Sequence, residues 1–84
     1  MAYYFKPSAV EDLKSLPKSI RRRVITKLDF YITAKHPLQF AKALKDKSFG
    51  EYRFRIGDYL FLFDVDAKNN IIVLAVGHRK DIYR

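Results

Sequence analysis

The chain contains no cysteine, and its two histidines, His36 and His78, stand far apart. Disulfide staples, thiolate zinc sites and a cysteine nucleophile are thereby excluded, and a structural metal is not expected. Carboxylates are scarce too: nine Asp and Glu face seventeen Lys and Arg, a formal net charge of +8 over 84 residues. That balance favours a polyanionic partner. Asp64 and Asp66 lie two apart, but a two-carboxylate or metal site needs further ligands that are missing, so they read as strand-end charges. There is no glycine-rich phosphate loop, no Ser/His/Asp spacing and no helix–strand alternation of the nucleotide-binding kind. The longest apolar run, Ile71 to Val76, is far below the roughly 20 residues of a membrane helix. The opening residues show no basic leader followed by an apolar segment. A soluble, cytoplasmic protein without membrane attachment is expected.

What is present is aromatic bulk: seven Phe and six Tyr supply large buried areas to a chain that has room for one domain, residues 1–84. Ala2 to Phe5 reads as a strand closed by Pro7. Ser8 to Glu11 has the form of a capping box opening a first helix, in which Val10, Leu13 and Leu16 turn inward and Asp12, Lys14 and Ser15 outward. Pro17 fits the first turn of a second helix, where Ile20, Val24, Leu28 and Ile32 recur at i+4, and Lys35 and His36 suit its C-terminal end before Pro37. The two helices form an antiparallel hairpin.

Residues 37–50 read as a short helical turn. From Glu51 the period changes to two, placing Tyr52, Phe54 and Ile56 on one face and Arg53 and Arg55 on the other. Gly57 and Asp58 make a two-residue hairpin loop, so Ile56 should face Tyr59, Arg55 Leu60, Phe54 Phe61, and Arg53 Leu62. After a polar turn at 66–70, Ile71 to Val76 reads as a central strand covered on both faces. The architecture is α+β: an N-terminal strand, a helical hairpin and a three-strand meander, giving a four-stranded, largely antiparallel sheet.

Two arginines one pleat apart, Arg53 and Arg55, form a positive stripe able to fork onto phosphate oxygens; a merely solvated strand face has the same pattern. Residues 14 to 47 carry ten Lys and Arg against Asp29 and Asp46 alone, among them Arg21, Arg22, Arg23, Lys27, Lys45 and Lys47. Such a surface can neutralise phosphates without reading sequence, although a soluble helix face looks alike. His78 carries an imidazole, a group suited to proton transfer, and Tyr83 suits either phosphate orientation or packing of the tail.

The string Gly50-Glu51-Tyr52-Arg53-Phe54-Arg55-Ile56-Gly57-Asp58-Tyr59, followed by Val76-Gly77-His78-Arg79-Lys80-Asp81-Ile82-Tyr83, resembles the RelE/ParE toxin superfamily over nearly the whole chain. The resemblance implies a RelE-like, microbial-ribonuclease-like toxin of a type II toxin–antitoxin module. It implies a ribosome-dependent mRNA endoribonuclease working by 2′-hydroxyl attack, without metal or cofactor, and held by a RelB-like antitoxin in a heteromeric complex. By that resemblance Arg53, Arg55, Arg79 and Tyr83 match catalytic positions, and His78 matches the histidine before the tail arginine. Leu60 departs from the pattern, standing where the family commonly has arginine, and by the expected register this gap falls opposite Arg55 on the reactive face. A ParE-type gyrase-inhibiting toxin, or a weakened homologue kept for antitoxin binding, therefore stays open as an alternative.

Overall fold

In the computed structural model, which describes residues 1–83, the elements run β1 (Tyr3–Phe5), α1 (Pro7–Ser15), α2 (Lys18–Thr33), β2 (Ala41–Ala43), β3 (Tyr52–Ile56), β4 (Tyr59–Val65) and β5 (Ile71–His78). Single 3-10 turns at Pro37–Phe40 and Lys47–Phe49 flank β2. The sheet order is β1-β5-β4-β3-β2, parallel only between β1 and β5 and antiparallel elsewhere. The α+β architecture with its helical hairpin is thus as expected, but the sheet has five strands, not four. The addition is Ala41-Lys42-Ala43, which pairs with Phe54, Arg53 and Tyr52. A three-residue strand with small residues at its ends has no alternation of its own; its pairing comes from β3.

The helices cover one face of the sheet. Val24 and Leu28 of α2, Ala9 of α1, and Phe54, Phe61, Phe63, Ile71 and Val73 of the sheet are fully or almost fully buried together. Phe54 and Phe63 stack with ring centres 4.5 Å apart, and Tyr31 lies 4.9 Å from Phe54, so aromatic pairing supplies much of this core. On α1 the inward stripe centres on Ala9, since the helix packs directly on β5 and a small residue allows the close approach.

Helix boundaries differ from expectation for local reasons. α1 starts at Pro7, whose missing N–H costs nothing in a first turn, and no side-chain cap is made; the Ser8–Glu11 capping box does not form. α2 ends at Thr33 with Ala34 as its cap, so Lys35 and His36 lie beyond it. Asp12, expected to face outward, is half-buried and accepts the Val76 N–H at 3.1 Å. β1 reaches only as far as Val73 along β5, and this carboxylate caps an amide that has no neighbouring strand there.

Candidate functional site

The sheet face away from the helices carries the predicted stripe. β3 and β4 pair as Ile56–Tyr59, Arg55–Leu60, Phe54–Phe61 and Arg53–Leu62, the expected register. With Phe54 and Ile56 buried against the helices, Arg53 and Arg55 must take the opposite face, about 7 Å apart along the strand. Lys42 of β2 sits directly across from Arg53. This third cation escaped sequence reading because β2 itself did. Like charges directly opposed in a sheet repel, which makes the Lys42–Arg53–Arg55 stripe a surface in want of an anion.

The Gly57–Asp58 turn gathers guanidinium groups from three elements. Arg55 bends along its strand and its Nε donates to the Gly57 carbonyl at 2.9 Å. Arg79, just past β5, places Nε 3.5 Å from Asp58 Oδ1 and donates its backbone N–H to the Asp58 carbonyl at 2.8 Å. Arg23 of α2 lies against the turn: a Cβ on Gly57 would stand 3.0 Å from Arg23 Nη2. Gly57 has φ 60°, so its lack of a side chain serves both the left-handed turn and the seat of Arg23.

The other predicted residues distribute unevenly. His78 pairs with Tyr59, whose ring it meets edge-on at 5.4 Å, and lines a cleft with Asp12, Ser15 and Leu16. Tyr59 packs on the helix-side core, so His78 occupies the face opposite the arginine stripe, as alternation along an extended strand requires. Its Nδ1 accepts the Lys80 N–H at 3.1 Å. Tyr83 packs edge-to-face on Phe49, ring centres 5.1 Å apart, drawing the tail over the outer sheet face. Arg21 is turned inward along α2, donating to the carbonyls of Lys14 and Leu16 at 3.3 and 3.4 Å; it ties the helical hairpin. Lys45 and Lys47 are exposed on either side of Asp46, whose carboxylate caps the Lys47–Phe49 turn through Ser48 and is held below its usual pKa by those bonds.

Leu60 corrects an expectation. It shares the face of Arg55 but is only 1% exposed, so no open gap exists there. Its partner on β5 is Gly77, and Ile82 of the tail covers that glycine, its side chain 3.7 Å from where a Cβ would be. Leu60 and the likewise buried Leu62 therefore form a small apolar layer on the outer face, and an arginine at 60 would have to extend past the tail to reach water.

Arg22, Arg23 and Lys27 line a cleft of about 510 Å³ between α2 and the edge of β3, together with Ser19, Thr26, Tyr31, Arg55 and Gly57. β2 pairs only as far as Phe54, and the Arg55 carbonyl accepts the Tyr31 hydroxyl at 3.3 Å. Ser19 and Thr26 were missed by sequence reading. Their signal is the spacing Ser19, Arg22, Arg23, Thr26, a second stripe beside the apolar one. Among the described residues, no three His, Cys, Asp or Glu side chains gather in a group able to hold a metal ion.

Comparison with known proteins identifies the fold and the family. A family profile described as the ParE toxin of type II toxin-antitoxin system, parDE, matches residues 3–83. The toxin RelG of Mycobacterium tuberculosis is 33% identical over 81 residues, spanning 95% of this chain and 92% of that protein. Among solved structures, a chain of the toxin–antitoxin complex RelBE2 from Mycobacterium tuberculosis superposes with a TM-score of 0.75 at 28% identity, covering 93% of this chain and 96% of its own. A chain of the RelB–RelE antitoxin–toxin complex from Methanococcus jannaschii gives 0.71 at 31% identity, covering 94% and 93%. With a profile spanning almost its full length and relatives matched end to end, this chain belongs to the RelE/ParE toxin superfamily of toxin–antitoxin systems.

Proposed function

We propose that this chain is the toxin of a type II pair and acts as a ribosome-dependent mRNA endoribonuclease. The observation that carries the reading is the cationic stripe Lys42–Arg53–Arg55 with Arg79 brought to the turn at its end. In the reaction, the 2′-oxygen of a ribose bonds to the adjacent phosphorus while the bond from phosphorus to the 5′-oxygen breaks. The products are a 2′,3′-cyclic phosphate and a 5′-hydroxyl. Negative charge builds on the non-bridging oxygens and on the leaving oxygen, and fixed guanidinium donors there lower the barrier. Arginine stays protonated at ordinary pH and cannot take the 2′-hydroxyl proton. His78 lies on the opposite face, so we assign both removal of the 2′-hydroxyl proton and delivery of a proton to the leaving 5′-oxygen to water or to groups of the docked ribosome.

Cleavage of a defined message in a translation extract tests this. The message should be cut with the chain present, and Arg53→Ala should reduce cutting about 100-fold, the scale of a lost transition-state donor. An intact message at every concentration of the chain overturns the reading.

The burial of Leu60 favours a second reading, a ParE-type toxin that inhibits DNA gyrase without cutting RNA, since one cation of the nuclease pattern is replaced by an apolar contact. Inhibition of supercoiling with the message left intact selects it. In either case we propose capture by an antitoxin, as in the RelB–RelE complexes. On its β1 side, β5 past Val73 lacks a strand, with Asp12 holding the Val76 amide, an edge that an extended peptide displacing that carboxylate can lengthen. Failure to co-purify with the product of the neighbouring reading frame would count against that partner.

A further inference from the structure

The cleft between α2 and β3 concentrates cations without any carboxylate. Arg22, Arg23, Lys27 and Arg55 line it with Ser19, Thr26 and Tyr31, and no Asp or Glu is among the lining residues. Among the described residues, the ion pairs are Lys14–Glu11 and Arg79–Asp58, and neither involves a cation of the cleft. Arg22, Arg23 and Lys27 lie within about a turn and a half of one helix, where like charges repel. Arg23 lies against Gly57, and Lys27 is held with its ammonium 5.0 Å above the Phe30 ring and 5.7 Å above that of Tyr31. This uncompensated set of guanidinium forks and an ammonium, beside Ser19 and Thr26, matches the two non-bridging oxygens of a phosphodiester.

Arg55 decides which anion. It belongs both to this cleft and to the sheet stripe, so an anion in the cleft and one on the stripe are neighbours along a single path. Consecutive phosphates of one strand meet that condition. We infer that the cleft holds a phosphodiester of single-stranded RNA next to the one on the sheet face, with Arg55 shared between them. The inference rests on the nucleic-acid reading above and adds to it a second phosphate subsite built by α2.

The test uses the full chain and a fluorescent 12-nucleotide single strand with 2′-O-methyl riboses, which cannot be cut, so that binding is read apart from cleavage. Arg22→Ala/Lys27→Ala, at exposed helical positions, should weaken binding about tenfold at moderate salt. It should also flatten the dependence of log affinity on log salt by about 1.4, two contacts at about 0.7 each. Lys6→Ala/Lys68→Ala removes the same charge elsewhere and should change affinity less than twofold. Thr26→Glu, which sets a carboxylate in the cleft, should weaken binding about as much as the double variant. Equal losses in the two double variants, or none in either, overturn the subsite. So does unchanged RNA binding accompanied by lost binding of a glutamate 12-mer, which would give the cleft to an acidic protein segment. If the oligomer depends on the cleft while message in the extract stays intact, the subsite stands and the nuclease falls; cleavage with cleft-independent binding gives the reverse.

Discussion

Arg79 is tied to Asp58 twice, through its backbone N–H to the carbonyl at 2.8 Å and through Nε to the carboxylate at 3.5 Å. The side-chain pair is open to water, 51% and 58% exposed, and pairs of that kind add at most about 1 kcal/mol to stability. Its consequence is positional. Arg79→Ala should melt within about 8 °C of the parent, the upper shift that 1 kcal/mol gives a domain this size, yet lose message cleavage about 100-fold. Equal losses of fold and cleavage would show the arginine to be structural only.

Two glycines with positive φ should respond differently to alanine. At Gly57, φ 60°, the added Cβ meets the far end of Arg23, which can swing away; the cost is then the left-handed backbone alone, about 1 kcal/mol. At Gly50, φ 123°, it meets Leu74 Cδ1 at 3.0 Å and the Phe63 carbonyl at 3.3 Å, and that region of φ and ψ is open to glycine almost exclusively. Gly50→Ala should lower the melting temperature clearly more than Gly57→Ala. The reverse order would contradict the packing of the 47–50 segment over β4.

What could be read from the residues themselves was whatever carries its own period. The alternation from Tyr52 to Ile56 and the glycine-first turn set the β3–β4 register residue for residue, and the i+4 stripe on α2 put Val24 and Leu28 in the core. Features fixed by a distant partner were not legible. β2 exists because β3 has an unpaired edge; Asp12 turns inward because β5 outruns β1; Leu60 is buried because the tail folds back over Gly77. The arginine stripe was visible, but its continuation into the α2 cleft depends on how Arg55 bends toward the turn, which no spacing encodes.

Leu60→Arg, which restores the charge common in the family, should not restore a working site. The position is sealed beneath the tail beside Gly77 and Ile82, and an unpaired guanidinium there has to displace the tail or remain desolvated, a cost of several kcal/mol. Expected is a melting temperature lowered by more than 10 °C with no gain in cleavage. A stable variant with increased cleavage would mean that the tail leaves this face readily.

Tyr3 and Asp29 join β1 to α2, the phenol donating to the carboxylate at 2.7 Å. The hydrogen bond itself, then burial and the negative charge of Asp29, hold the phenol above its ordinary pKa. A group whose folded pKa is raised contributes stability that is complete below its unfolded value and is lost as pH rises through the folded one. The bond should therefore act in full at neutral pH and fade only in the strongly alkaline range. Tyr3→Phe removes the donor and leaves Asp29 in water, so about 1 kcal/mol and roughly 4–8 °C should be lost at neutral pH. The gap between parent and variant should then close as pH climbs past the phenol range. A gap that stays constant to high pH would assign the loss to packing around the ring rather than to the phenol proton.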